Sequence, residues 1–165
     1  MSRWLGVSVI VLGLYAEAGL ELPHLDFELH PDGEACHGGR GYYMGDGSTI
    51  RICIPDTGAV AQPVYLHEIA HAWDARTLSD DRRATFLDQR GLHKWWDDGS
   101  APWYTFGAEQ AAQIVMWGLI DRPISVATIP DSGCAELQAG YHLLTGRRPL
   151  HGFTDLCDAT LQIRG

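Results

Sequence analysis

Two histidines four residues apart, with a glutamate directly after the first, are the residues of this 165-residue chain best suited to chemistry. They stand in the run His67-Glu68-Ile69-Ala70-His71. On a helix, positions i and i+4 share one face a turn apart, so two imidazoles at this spacing can converge on a single ion. Glu68 projects to the side of that pair, where its carboxylate can reach a water molecule rather than the ion. A divalent metal acidifies such a water, and a neighbouring carboxylate can take the proton. The plain alternative is that His67 and His71 are polar residues on an amphipathic helix.

That chemistry needs a rigid helix beneath it, and the surrounding sequence supplies one. Pro63 suits the first turn of a helix. No breaker interrupts Val64 to Leu78, and Leu66, Ile69, Ala70 and Trp73 recur at helical spacing. Before this segment lie β-prone runs. Leu25 to His30 alternates apolar and polar residues and stops at Pro31-Asp32-Gly33. Gly41 to Met44 and Thr49 to Ile54 flank an Asp-Gly pair, the pattern of a hairpin, with Ile50, Ile52 and Ile54 on one face.

After the motif, helices follow. Ser79 precedes first-turn acids and Gly91 offers a stop. A third helix is predicted from about Phe106 to Leu119 with Thr105 as cap, and a fourth from about Gly133 to Thr145, closed by Gly146. Between them, residues 92–104 carry Trp95, Trp96, Trp103 and Tyr104, read as packing residues rather than a substrate wall. Strands first and helices after predict an α+β fold: a small N-terminal antiparallel sheet of about three strands, packed on a helical bundle.

Composition narrows the partners. A formal net charge of -9, with the basic residues scattered, argues against nucleic acid and anionic membranes. Arg3, an apolar run from Trp4 to Tyr15, and Ala16-Glu17-Ala18 match a secretory signal with a cut after Ala18, the alternative being a buried N-terminal helix or strand. The run is short for a membrane span. Residues 19–165 would then form one domain, secreted or extracytoplasmic, monomeric, and without stable membrane association. Four cysteines fit export. They allow three connectivities, of which Cys36–Cys53 and Cys134–Cys157 are preferred because each closes a local loop of about 20 residues.

The run HEIAH resembles the HExxH motif of the zincin metallopeptidases, and the resemblance covers roughly residues 41–119. It implies a zinc cofactor, a peptide or protein substrate, and hydrolysis of peptide bonds with Glu68 as general base. Metzincins continue to a Gly and a third His, but Asp74 and Thr77 occupy those places here. Gluzincins take a Glu from a later helix. The run Gly107-Ala108-Glu109-Gln110-Ala111-Ala112-Gln113 makes Glu109 the expected third ligand beside His67 and His71, and the closest size match is the very small single-domain gluzincins. Gln113 stands where many gluzincins carry an Asp. Asp74, Glu136, His93 and His142 are rival ligands.

For the oxyanion of the transition state, Tyr141 and His142 are the favoured donors, with His151 and Tyr104 beside them. Zincin substrates commonly pair with an edge strand near the motif, and residues 49–54 are the expected strand. Two other readings stay open: a secreted zinc-binding protein without catalysis, and a toxin-like protease specific for one protein.

Overall fold

The motif helix forms because seventeen residues, Ala61–Thr77 (α2), contain no interior breaker, and it is buried around most of its circumference. Tyr65, Leu66, Ile69, Ala70, Ala72 and Trp73 are all enclosed. The computed structural model of the chain describes residues 2–54, 61–120, 124, 126 and 128–150. The chain forms two compact units, Met1–Ser79 and Asp80–Gly165.

In the first unit, Asp26–Leu29 (β1), Gly41–Tyr43 (β2) and Thr49–Ile52 (β3) make a three-stranded sheet in the order β1-β3-β2. As expected, β2 and β3 form an antiparallel hairpin. Its loop is held by Asp46, whose carboxylate accepts the Ser48 and Thr49 amides and the Thr49 hydroxyl at 3.0, 2.8 and 2.6 Å. The expectation of a wholly antiparallel sheet is corrected, because β1 pairs with β3 in parallel. Two chain reversals leave β1 and β3 running the same way. The second reversal inserts β3 between its neighbours, since Ile50 and Ile52 have an apolar face to bury and both are fully enclosed. Across the parallel pair, Arg51 Nε donates to Glu28 Oε2 at 2.6 Å. The Cys36–Cys53 disulfide ties the β1–β2 connection to the end of β3, and a loop of this length contributes about 3 kcal/mol.

Residues Ser2–Glu17 form a helix (α1) that packs on α2. Val11, Leu14 and Tyr15 are buried, and the Tyr15 hydroxyl donates to the Leu66 carbonyl at 2.7 Å. The helix stops where Gly19 adopts a positive φ and Leu20 N–H returns to Tyr15 O. No helix among the described residues is long and apolar enough to cross a membrane.

The second unit is helical: Asp80–Arg90 (α3), Gly107–Leu119 (α4) and Cys134–Thr145 (α5). Gly91 and Gly146 close α3 and α5 with positive φ, as their positions predicted. Thr105 does not cap α4, because its hydroxyl donates to Pro102 O instead. The orphan amides of Gly107 and Ala108 donate to the carbonyls of Lys94 and Trp95. Phe86, Ile114, Leu137, Tyr141 and Leu144 are buried here. Of the aromatic stretch, Trp95 is buried against Phe86, and the Arg83 guanidinium lies 5.6 Å from both the Trp95 and Trp96 rings. Trp96, Trp103 and Tyr104 are exposed. Cys134 is disulfide-bonded, and its expected partner Cys157 lies outside the described residues.

Candidate metal centre

Burying a polar side chain costs free energy unless something compensates it, so its placement is informative. In the first unit, the described buried polar and charged residues, Gln62, Glu68, His71 and Asp74, all lie on α2. Glu68 is 7% exposed and Asp74 2%. One helix thus encloses two carboxylates and an imidazole.

The helix brings the two histidines together as their spacing predicts. His67 Nε2 and His71 Nε2 are 3.1 Å apart, with their rings nearly perpendicular at 87°. Two metal–nitrogen bonds of about 2.1 Å at a tetrahedral angle span about 3.4 Å, so the pair has close to the bite of a chelate. Without an ion, the same separation is that of an N–H···N hydrogen bond between the rings, the tautomers deciding which one donates. Glu109, in the first turn of α4, is half-buried. With it, the histidines offer one ligand atom each, two imidazole nitrogens and one carboxylate oxygen, a donor set that could hold a metal ion. Nitrogen and oxygen donors of this kind suit several divalent transition metals.

No family model, curated protein or solved structure matches the chain. The reading of the site therefore rests on its residues.

Glu68 lies against the sheet. A Cβ built on Gly41 would stand 2.6 Å from Glu68 Cγ and 2.6 Å from Oε1, so the glutamate occupies the space a side chain at position 41 would need. Two residues along the same strand, the Tyr43 ring stacks on His71 with centroids 6.4 Å apart and planes 17° from parallel. Burial raises the Tyr43 phenol above its ordinary range, the Asp46 and Asp74 charges add to this, and Arg76 and a Gly47 backbone hydrogen bond oppose it. Neither Gly41 nor Tyr43 was singled out for the site from the sequence. The available signal was the alternation of β2, which puts both on the face opposite Tyr42.

The expected substrate strand is also corrected. β3 lies between β1 and β2, so both its edges are paired, and residues 49–52 have no free ladder groups to offer. The free edge beside α2 is β2, which packs on that helix. Cys53 N–H bonds Arg40 O and Met44 N–H bonds Thr49 O. By the alternation of an antiparallel ladder, the backbone groups of Gly41 and Tyr43 then face outward.

Tyr141 and His142 lie on α5 in the second unit. Tyr141 is 0% exposed, and its ring fills the notch left by the missing side chain of Gly118. Burial pushes its phenol up to about 12. A phenol so enclosed is a packing residue in this conformation. His142 is exposed in the last turn of α5, with Nδ1 3.4 Å from Arg147 O. Of the rival ligands, the Glu136 carboxylate folds back over Gly133 at the N-terminus of its own helix, where the helix dipole favours it. His93 is exposed. His151 lies outside the described residues.

Proposed function

We propose that this protein is a zinc-dependent peptidase in which His67, His71 and Glu109 hold the metal and Glu68 is the general base. The observation that carries the reading is the convergence of His67 and His71 nitrogens at 3.1 Å on a helix that also buries Glu68. A site that only held a metal for structure would not need that third group. When bound, zinc supplies Lewis acidity that lowers the pKa of water and polarises a carbonyl. The chain's own residues do the rest. Glu68 accepts the proton of the attacking water and passes it to the leaving amine. Its enclosure keeps bulk water from competing for that proton.

An extended peptide adds to the outer edge of β2, where the backbone of Gly41 and Tyr43 offers donors and acceptors within reach of the motif helix. The Cys36–Cys53 bridge and the bonded Cys134 support a secreted or extracytoplasmic location. The test is hydrolysis of a diverse peptide library by wild-type protein and by His67→Ala and Glu68→Gln. Cleavage by the wild type alone is expected, and equal cleavage by all three would reject the assignment.

A further inference from the structure

Strand β2 packs on α2, and two of its approaches are to residues of the candidate site, Gly41 to Glu68 and Tyr43 to His71. The two contacts come from one face of the strand, since positions 41 and 43 lie on the same side while Tyr42 points the other way and is exposed. At the first point the strand removes atoms, because the Glu68 side chain lies where a Cβ of residue 41 would be. Gly41 does not have a positive φ, so its backbone conformation does not demand glycine. The demand is for space, which is what a strand glycine at a close approach supplies. At the second point the strand adds a ring, with Tyr43 lying nearly parallel to His71.

We propose that Gly41 and Tyr43 are positioning residues: the gap at 41 seats the Glu68 carboxylate and the ring at 43 fixes the plane of His71. The proposal rests on the reading of His71 as a metal ligand and Glu68 as the base. It makes β2 a two-point template. The same strand that offers its outer edge to a peptide sets the orientation of the groups that act on it. Because the two contacts are separate, they fail separately. Loss of the ring loosens the ligand, whereas filling the gap displaces the base and spares the metal.

The experiment uses the full chain with Co2+ as probe, whose visible absorption reports ligand geometry. The variants are Tyr43→Ala, Tyr43→Phe, Gly41→Ala, Glu68→Ala and the Gly41→Ala/Glu68→Ala double. Tyr43→Ala is expected to weaken Co2+ binding about 10- to 100-fold, as loss of a ligand-orienting neighbour does, and to shift the absorption bands. Tyr43→Phe, which keeps the ring, is expected to bind and absorb like wild type. Gly41→Ala is expected to bind Co2+ normally but to melt at a lower temperature, and that drop is expected to vanish when residue 68 is alanine. Peptide turnover by Gly41→Ala is expected to fall in kcat rather than KM.

Unchanged Co2+ affinity and bands in Tyr43→Ala, or an equal melting cost of Gly41→Ala in both backgrounds, overturns the proposal. A wild type that binds Co2+ but cleaves no peptide refutes the peptidase reading, and the same two readouts still decide this one. A wild type that takes up no Co2+ overturns both.

Discussion

Replacing Glu68 with glutamine isolates the proposed proton transfer with little disturbance to the fold. The two side chains have nearly the same shape, so glutamine can occupy the same space against Gly41, where one added carbon would stand 2.6 Å from Cγ. What is lost is the capacity to accept a proton. A positioned general base contributes about 10²–10⁴-fold to rate, which is about 2.7–5.4 kcal/mol on the barrier at 1.36 kcal/mol per tenfold. The upper half of that range is expected here, because Glu68 is 7% exposed and little solvent can stand in as base. The proposed ligand nitrogens of His67 and His71 are untouched, so the metal should stay. The assay is kcat and KM on peptides selected from a library, with zinc content measured on the same samples. A loss of about 10³-fold or more in kcat with one zinc retained is the expected result. Wild-type turnover by the glutamine variant would refute the reasoning, since no proton acceptor would then be needed at 68.

Three further outcomes follow from the packing and the charges. Tyr15→Phe removes the hydroxyl that donates to Leu66 O at 2.7 Å from a fully buried ring. It should lower stability by about 1 kcal/mol in chemical denaturation, and an unchanged midpoint would mean that α1 does not stay on α2 in solution. Gly118→Ala places a methyl on the Tyr141 ring. Overpacking costs about 1–3 kcal/mol against a helix-propensity gain of about 1 kcal/mol, so net destabilisation is expected. Asp46 is held down to about 2, first by the Thr49 hydroxyl and then by the Thr49 and Ser48 amides. A depressed folded pKa gives stability that is present above the ordinary carboxylate value and lost as pH falls towards 2. Thr49→Val should raise the Asp46 pKa towards 3.8, and a carboxyl titration followed by NMR would read it.

What the sequence made legible was local. The stops at Gly91 and Gly146, the β2–β3 hairpin, the Cys36–Cys53 bridge and the pairing of His67 with His71 each depend on residues within a few turns of chain, and each is found. Strand order was not local. Nothing in Asp26–Leu29 says which edge of β3 it will take, so the parallel pairing and the central place of β3 had to be observed. The start of α4 misled for a related reason. Thr105 has the right chemistry for a cap, but the carbonyls of Lys94 and Trp95, ten and more residues upstream, reach the amides instead. The Tyr141 hydroxyl suits an oxyanion donor, whereas its ring, fitted over Gly118, decides where it sits. The significance of Gly41 and Tyr43 lies in contacts with another element, which no local pattern shows.

The most direct test of the central claim is the zinc content of the purified 165-residue chain after loading and exhaustive dialysis, beside His67→Ala, His71→Ala and Glu109→Ala. The account predicts one zinc per wild-type chain, loss of bound zinc in both histidine variants, and weakened retention without Glu109. Zinc held as tightly by the histidine variants, or none held by the wild type, would contradict it.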